Sequence, residues 1–134
     1  MRNPPKLNQA SLLTKFTYTN GELYRNSIRL SAKVSIGYHQ YPRENIIYTM
    51  HHNTPFERID HIDGNTSNNH IENLAPISEQ EYQANRIAGK YYAGARDGVS
   101  WDKHSQTYYA VREGKLLGRF KHGDQAQEEL DKWN

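Results

Sequence analysis

Residues 58–74 read RIDHIDGNTSNNHIENL and concentrate polar side chains in one short stretch. The stretch holds two Asp, two His and four Asn, with apolar residues only at single positions between them. Gly64 and the Asn and Ser residues around it predict a loop between two short extended pieces, RIDHI and IENLAPI. A helix should follow, because Ser78 and Glu81 form a capping-box pattern and Gly89 is a typical helix stop. The predicted order is therefore strand, polar loop, strand, helix.

Asp60 and His61 carry the reactive chemistry of this stretch. A carboxylate oxygen is a hard ligand suited to Mg²⁺, Mn²⁺ or Ca²⁺, and it also binds Zn²⁺. A neighbouring imidazole can remove a proton from water, and an Asn from the second extended piece can orient the ring. Together they are the minimum set for metal-assisted phosphodiester hydrolysis. Asn, Asp and Gly are equally the residues of ordinary turns, so composition alone favours a structured turn over an active site.

The chain before this stretch predicts short helices mixed with short strands, which is an α+β fold. NQASLLTKF, from Asn8, predicts a short helix, and Asn20-Gly21 predicts a tight hairpin because both residues readily adopt positive φ. Residues 28–37 alternate apolar and polar side chains, as expected of one half-buried strand. After Pro42, RENIIYTMHHN predicts a short amphipathic helix.

The last part of the chain predicts a second, smaller domain. AGKYYAGARD holds two glycines and other small residues and predicts a linker, which we place at residues 91–96 between domains at 1–90 and 97–134. GVSWDKHSQTYYAVREGKLLGRF predicts three strands, and HGDQAQEELDKWN predicts a helix. So small a unit needs its large apolar side chains in the core, and the sequence predicts these there: Trp101, Tyr109, Phe120, Ala126, Leu130 and Trp133.

Charge is unevenly distributed in this second domain. The net charge of the whole chain is only +2, but the predicted sheet is basic and the following helix is acidic. Such a distribution gives DNA one face to prefer. The candidate DNA-contacting residues are Lys103, Arg112, Lys115, Arg119 and Lys121. A guanidinium can reach base edges or phosphates, whereas the lysines would neutralise phosphates.

The polar stretch resembles the HNH endonuclease family, in the branch common among phage and intron-encoded homing-type enzymes. The pattern there is Asp-His, a small residue, Asp or Asn, Gly-Asn, Asn-Asn, and Asn-Leu before a helix. The matching residues are Asp60-His61, Asp63-Gly64-Asn65, Asn68-Asn69 and Asn73-Leu74. A weaker upstream match extends the resemblance to most of residues 10–90. It implies a ββα-metal nuclease fold.

The resemblance also implies roles for individual residues. His61 would be the general base that activates water, Asn73 would orient its ring, and Asp60 would be a metal ligand. The remaining loop asparagines would shape the loop by bonding its backbone; they are Asn65, Asn68 and Asn69. The implied cofactor is Mg²⁺ or Mn²⁺, with Zn²⁺ as the alternative.

The chain departs from the family pattern at one position. This branch usually has a second metal ligand, His or Asn, nine residues after the central Asn, where this chain has Tyr82. A neutral phenol is a poor ligand for a hard cation, and a packing role against Ile77 is the other interpretation of Tyr82. Asn85, one turn further along the predicted helix, Glu79, nearly one turn back, or a water molecule could take over as ligand.

The C-terminal part resembles the AP2-type DNA-binding domain. The residues that carry the resemblance are GVSWD at 98–102, YAVR at 109–112 and LGRF at 117–120. The resemblance implies a three-stranded sheet that lies in the major groove of DNA.

These features lead to one main hypothesis and two rivals. The main hypothesis is a metal-dependent endonuclease that cuts or nicks double-stranded DNA as a monomer. The rivals are a DNA-binding protein with a degenerate, inactive HNH site, and a small interaction protein whose Asn-rich loop is purely structural. The chain has no cysteine, no bilayer-length apolar run and no signal-peptide core at its N-terminus. We therefore expect a cytoplasmic protein, in the bacterial host if it is phage-encoded.

Overall fold

A computed structural model of the chain describes residues 5–94 and 96–133. Within them the fold is α+β, as predicted, and divides into two compact units. The first unit holds the described residues up to Asp60 together with Asn69–Ile77, and the second holds His61–Asn68 and the described residues from Ser78 onward. The predicted domains at 1–90 and 97–134 stay a prediction, and Ala95 of the predicted linker lies outside the described residues.

Ten short strands and four helices make up the described chain, with one 3₁₀ turn. The first part contains α1 (Gln9–Lys15), β1 (Thr17–Thr19), β2 (Glu22–Arg25), β3 (Ile28–Arg29), β4 (Lys33–Ile36), β5 (His39–Pro42), α2 (Arg43–His51), β6 (Arg58–His61), the 3₁₀ turn (Ile71–Asn73) and β7 (Leu74–Ile77). The remainder contains α3 (Glu79–Ile87), β8 (Gly98–Asp102), β9 (Thr107–Arg112), β10 (Lys115–Phe120) and α4 (Gly123–Asp131). In the described residues no helix has the combined length and apolar character that crossing a bilayer requires.

The first unit is organised around helix α2. The strands there form three small sheets, β1-β2-β3, β4-β5 and β6-β7, and α2 buries Ile46 and Ile47 completely. The hairpin predicted at Asn20-Gly21 is confirmed: β1 and β2 pair antiparallel, and both turn residues have positive φ. The helix predicted after Pro42 is confirmed as α2.

Two predicted strands of the first unit are wrong in their extent. Residues 28–37 form not one strand but two, because β3 pairs with β2 while β4 pairs with β5. The chain changes partner between them, where the Leu30 N–H still donates to the Leu23 carbonyl at 2.8 Å and the Ala32 carbonyl accepts from Arg43 at 2.9 Å. The second extended piece, IENLAPI, begins with the 3₁₀ turn and becomes extended only at Leu74.

Helix α3 begins as the sequence predicted. The Ser78 hydroxyl accepts from the Glu81 N–H at 3.0 Å, and the Glu81 carboxylate accepts from the Ser78 N–H at 3.2 Å, which completes the capping box. The helix ends at Ile87, and Gly89 follows with a φ of 77°. These residues lie in the second unit.

The C-terminal residues of the second unit form an antiparallel sheet in the order β10-β9-β8, against which α4 packs. Ala110, Val111 and Ala126 are its most deeply buried apolar residues. Two predictions of the core are wrong: Trp101 is 52% exposed at the β8 edge of the sheet, and Trp133, beyond the end of α4, is 58% exposed. The other four residues predicted inward are partly or fully buried; they are Tyr109, Phe120, Ala126 and Leu130.

Candidate active site

Strand β6 buries two ionisable side chains in succession. Asp60 is 6% exposed and His61 is 4% exposed, next to the buried apolar Ile59. Polar groups at this depth need partners, and both residues do interact with other groups in the fold. Alternation along a strand would bury every second residue, so three buried residues in a row mark β6 as enclosed on both faces at its end.

Asn73 is held at the end of the 3₁₀ turn, directly before β7. Its N–H donates to the His70 carbonyl at 2.9 Å, and its side chain is buried. The β1–β2 hairpin fixes this segment within the first unit: the Tyr18 hydroxyl accepts from the Ile71 N–H at 3.0 Å, and Gly21 packs closely on the His70 ring. Since β7 pairs with β6, the turn places Asn73 at the start of the strand that partners the Asp60 strand.

The loop after His61 is shaped by its own acidic residue. Asp63 accepts from the Asn65 N–H at 2.8 Å through one carboxylate oxygen and from the Asn68 amide at 3.0 Å through the other. The Gly64 N–H donates back to the His61 carbonyl at 2.8 Å, with a φ of 80° at Gly64. Asp63 thus supports the loop, as the polar asparagines were expected to do.

Tyr82 occupies the position on α3 where the resemblance led us to expect a metal ligand. Its ring stacks on that of Tyr91, with the ring centroids 5.5 Å apart, and the Arg86 guanidinium lies 5.8 Å from its centroid. Asn85, the predicted substitute ligand, donates its amide N–H to the Tyr91 hydroxyl at 3.2 Å. This hydrogen bond uses the amide nitrogen of Asn85, whereas a cation would bind the amide oxygen. Tyr82 and Asn85 therefore both contact Tyr91, a residue that the sequence analysis assigned to the linker.

Carboxylate and amide oxygens are the candidate metal-binding atoms of this region. No group of three or more His, Cys, Asp or Glu side chains within residues 5–94 and 96–133 is arranged to hold a metal. Mg²⁺ commonly uses one or two carboxylates and completes its shell with water and substrate phosphate oxygens. The single carboxylate of Asp60, with amide oxygens as further donors, fits an ion of the Mg²⁺ or Mn²⁺ type.

The five candidate DNA-contacting cations are placed differently from one another. Lys103, Lys115 and Lys121 are exposed, and Arg112 is half-buried. The Arg119 side chain is only 15% exposed, and its guanidinium donates to the Asp102 carboxylate at 3.0 Å.

Other groups in the second unit also hold Arg119. It donates to the Tyr91 carbonyl at 2.7 Å and to the Thr107 hydroxyl at 3.2 Å, and it lies 5.1 Å from the Tyr109 ring centroid. The structure thus gives this guanidinium an internal role, which the sequence analysis did not foresee.

The comparison with known families agrees with the location of the polar loop. A family model described as HNH endonuclease matches residues 44–84, the region from α2 through β6 and β7 into α3. No curated protein and no solved structure matches the chain. The family match supports an HNH nuclease, a class that cuts DNA and generally uses a divalent metal ion. Residues 97–134 lie outside the matched region.

Sequence reasoning missed the contacts of the predicted linker. Tyr91 contacts α3 and Arg119, and Tyr92 pairs with Asn65 in the polar loop. Gly94 was a sequence feature that could have indicated this contact, because a Cβ at that position would overlap the Asn65 amide. A glycine often marks such a close approach of two segments, but nothing in the sequence names the segment that approaches.

Proposed function

We propose that the protein is a metal-dependent endonuclease of the HNH homing type that hydrolyses phosphodiester bonds in double-stranded DNA. The observation that carries the proposal is the burial of Asp60 and His61 in succession at the end of β6, inside the segment that matches the HNH family. A carboxylate and an imidazole that are buried side by side need firm partners in the fold, and in the proposed reaction these two side chains are the metal ligand and the general base.

In this proposal each side chain has one task. The His61 imidazole accepts a proton from the attacking water. Asn73 fixes the orientation of that ring through its amide, as an outer partner commonly does for a catalytic or ligating histidine. Asp60 and the Asn85 amide oxygen would hold a divalent cation. When bound, such an ion stabilises the negative charge that develops on the phosphate and the leaving oxygen.

DNA is held, in this proposal, by the cations of the C-terminal AP2-like sheet. The residues assigned to it are Lys103, Arg112, Lys115 and Lys121. Arg119 is left out, because its guanidinium is already engaged with Asp102 and the Tyr91 carbonyl. One such site in a monomer would nick one strand in each binding event, and a phage or intron origin would place the protein in a bacterial cytoplasm.

The test is cleavage of supercoiled plasmid with Mg²⁺ or Mn²⁺, with chelator added in a parallel sample. We expect His61→Ala to lower the cleavage rate by about 10²- to 10⁴-fold, the usual contribution of a general base, while DNA binding in gel shifts stays unchanged. His52→Ala is the matched control, since His52 is exposed after the end of α2. If His61→Ala cleaves within tenfold of the wild-type rate, His61 is not the base.

One observation favours a second function, DNA binding without cleavage. Tyr82 stands at the expected ligand position with its ring stacked on Tyr91, and a phenol in that place offers a poor donor to a hard cation. The two functions separate in the same experiment. Salt-sensitive gel shifts without metal-dependent nicking would support the binding protein, and the absence of both would remove both functions.

A further inference from the structure

The polar loop of the candidate active site is paired with the segment that the sequence assigned to a linker. The Tyr92 N–H donates to the Gly64 carbonyl at 2.9 Å, and the Thr66 N–H donates to the Tyr92 carbonyl at 2.9 Å. Asn65, between Gly64 and Thr66, forms a parallel bridge with Tyr92. The loop is therefore held from outside as well as by Asp63.

The Asn65 side chain extends this connection to the C-terminal sheet. Its oxygen accepts from the Ser67 N–H at 2.9 Å and from the Gly94 N–H at 3.0 Å. Its amide nitrogen donates to the Gly114 carbonyl at 3.3 Å, in the turn between β9 and β10. One side chain thus contacts the loop, the 90–94 segment and the sheet, all of which belong to the second unit.

Three glycines make this close approach sterically feasible. A Cβ at Gly94 would overlap the Asn65 amide, and a Cβ at Gly64 would overlap the Lys90 carbonyl oxygen. A Cβ at Gly114 would lie 3.0 Å from the Gly94 carbonyl oxygen. Glycine is needed at each position because any side chain would push the loop, the 90–94 segment or the turn away from its neighbour.

The Tyr92 side chain reports the same packing. Burial raises the pKa of the Tyr92 phenol above its ordinary value, and the negative charge of Asp63 raises it further, while a hydrogen bond with the backbone of Leu116 lowers it. The phenol therefore interacts both with the carboxylate that shapes the loop and with strand β10.

We propose that Asn65 is a positioning residue that holds His61 in place by tying the polar loop to the turn between β9 and β10. His61 is the last residue of β6, directly before the loop, and its carbonyl accepts from the N–H of Gly64, the neighbour of Asn65. Because only a few backbone bonds separate Asn65 from His61, a displacement of Asn65 should also displace the His61 imidazole. The consequence for cleavage rests on the proposed nuclease function, but the positioning of His61 does not.

Asn65→Asp separates this role from simple loop formation. Aspartate keeps the oxygen that accepts from Ser67 and Gly94, and it is equally good at forming this kind of turn. It loses the N–H that donates to Gly114 and sets a carboxylate against that carbonyl oxygen. Asn68→Asp is the matched control, because it makes the same chemical change in the same loop at a residue whose amide donates to Asp63.

The readouts are the NMR signals of the His61 ring and the hydrogen exchange of residues 92–94, both in the full chain. For Asn65→Asp we expect shifted His61 ring signals together with at least tenfold faster exchange in 92–94. Asn68→Asp removes only a bond within the loop, so the exchange of 92–94 should stay as in wild type. Cleavage should fall by about 10²-fold, as a small misplacement of a catalytic group can cost.

The outcomes distinguish the two proposals. If Asn65→Asp leaves the His61 signals and the 92–94 exchange as in wild type, the positioning role is refuted. If both change but wild-type protein does not cut DNA, the positioning role stands and the nuclease proposal falls. If Asn65→Asp and Asn68→Asp change both readouts equally, Asn65 only shapes the loop.

Discussion

Arg119 offers the most direct test of how the second unit is held together. The perturbation is Arg119→Met, which keeps an unbranched apolar stem and removes the guanidinium. In the wild type that group forms an ion pair with Asp102 at 3.0 Å, with both side chains 15% exposed, and donates to the Tyr91 carbonyl at 2.7 Å. The substitution therefore leaves a nearly buried carboxylate without its cation and a backbone carbonyl without its donor.

The expected loss of unfolding free energy is about 2–4 kcal/mol. Solvent-exposed ion pairs contribute about 0.2–1 kcal/mol, whereas removing one partner of a buried pair costs about 3–5 kcal/mol. At 15% exposure this pair lies near the buried limit, and the hydrogen bond to Tyr91 adds to the loss. The contributions do not add fully, because the same guanidinium makes all the contacts.

The dependence on pH gives a second, independent signature. Burial raises the pKa of Asp102, but hydrogen bonds from His104 and Ser105 and the charge of Arg119 outweigh it, so that the pKa lies below its ordinary value of 3.8. A carboxyl group with a lowered pKa in the folded state adds stability above the unfolded-state pKa, and this is lost as the pH falls through the folded-state value. The difference between wild type and Arg119→Met should therefore be largest at neutral pH and shrink below about pH 3.8.

Urea denaturation at pH 7 and at pH 3, followed by tryptophan fluorescence, measures both effects. Trp101 lies in the same sheet and serves as the probe. Lys115→Met is the control, since it removes an exposed cation from strand β10, which also carries Arg119. A loss below 1 kcal/mol at pH 7, or a loss equal to that of Lys115→Met, would refute the internal role of Arg119 and return it to the candidates for DNA contact.

Two further substitutions test the neighbouring contacts. Tyr82→Asn should lower the unfolding free energy by about 1–3 kcal/mol, because it removes the stack on Tyr91, yet it should keep or raise metal-dependent nicking. Tyr82→Phe, the control, should leave stability nearly unchanged. A clear loss of nicking in both variants would show that the phenol takes part in the reaction. Gly64→Ala should lower the unfolding free energy by more than about 2 kcal/mol, because its Cβ overlaps the Lys90 carbonyl in addition to the strain of positive φ. Gly37→Ala, the control, has positive φ but open space around it, and should lower the unfolding free energy by only about 1 kcal/mol in the same urea titration. Equal losses would show that the loop moves to accommodate the added methyl group.

Local sequence signals predicted the elements whose causes are themselves local. Asn20-Gly21 forms its hairpin because the two residues supply positive φ, and Ser78 with Glu81 starts α3 because each satisfies a free N–H of the other. Strand β6 and the polar loop were predicted from local features too, namely the short extended piece RIDHI and the Gly and Asn residues that follow it. The buried environment of Asp60 and His61 agrees with the active-site interpretation, although their catalytic roles stay a prediction.

Features that depend on distant partners were not predictable from the sequence. Residues 28–37 have the alternation of one strand, but β2 and β5 each pair with a different half. Arg119 has the sequence features of a DNA-contacting cation, and only the positions of Asp102 and Tyr91 give it an internal role. The alternation of residues and the charge of a side chain can be read from the sequence, but the strand or ion-pair partner that each residue takes depends on the folded structure.

In the proposed nuclease, the position of Arg119 also limits which part of the C-terminal sheet could contact DNA. Cross-strand neighbours share a face of a sheet, and Arg119 pairs with Tyr109, which pairs with Ser100. The face that carries Arg119, Tyr109 and Ser100 is opposite the face that carries Ala110, against which α4 packs. From its own face Arg119 donates to the Tyr91 carbonyl.

The remaining cations lie at the ends of the strands, beyond that face. Arg112 and Lys115 flank the turn whose Gly114 carbonyl accepts from Asn65. In the proposed nuclease, a phosphate bound at this turn is therefore held by the same backbone that fixes the loop following His61. Binding of DNA by Arg112 and Lys115 and positioning of the imidazole by Asn65 then depend on a single turn, so a change in that turn should impair both together.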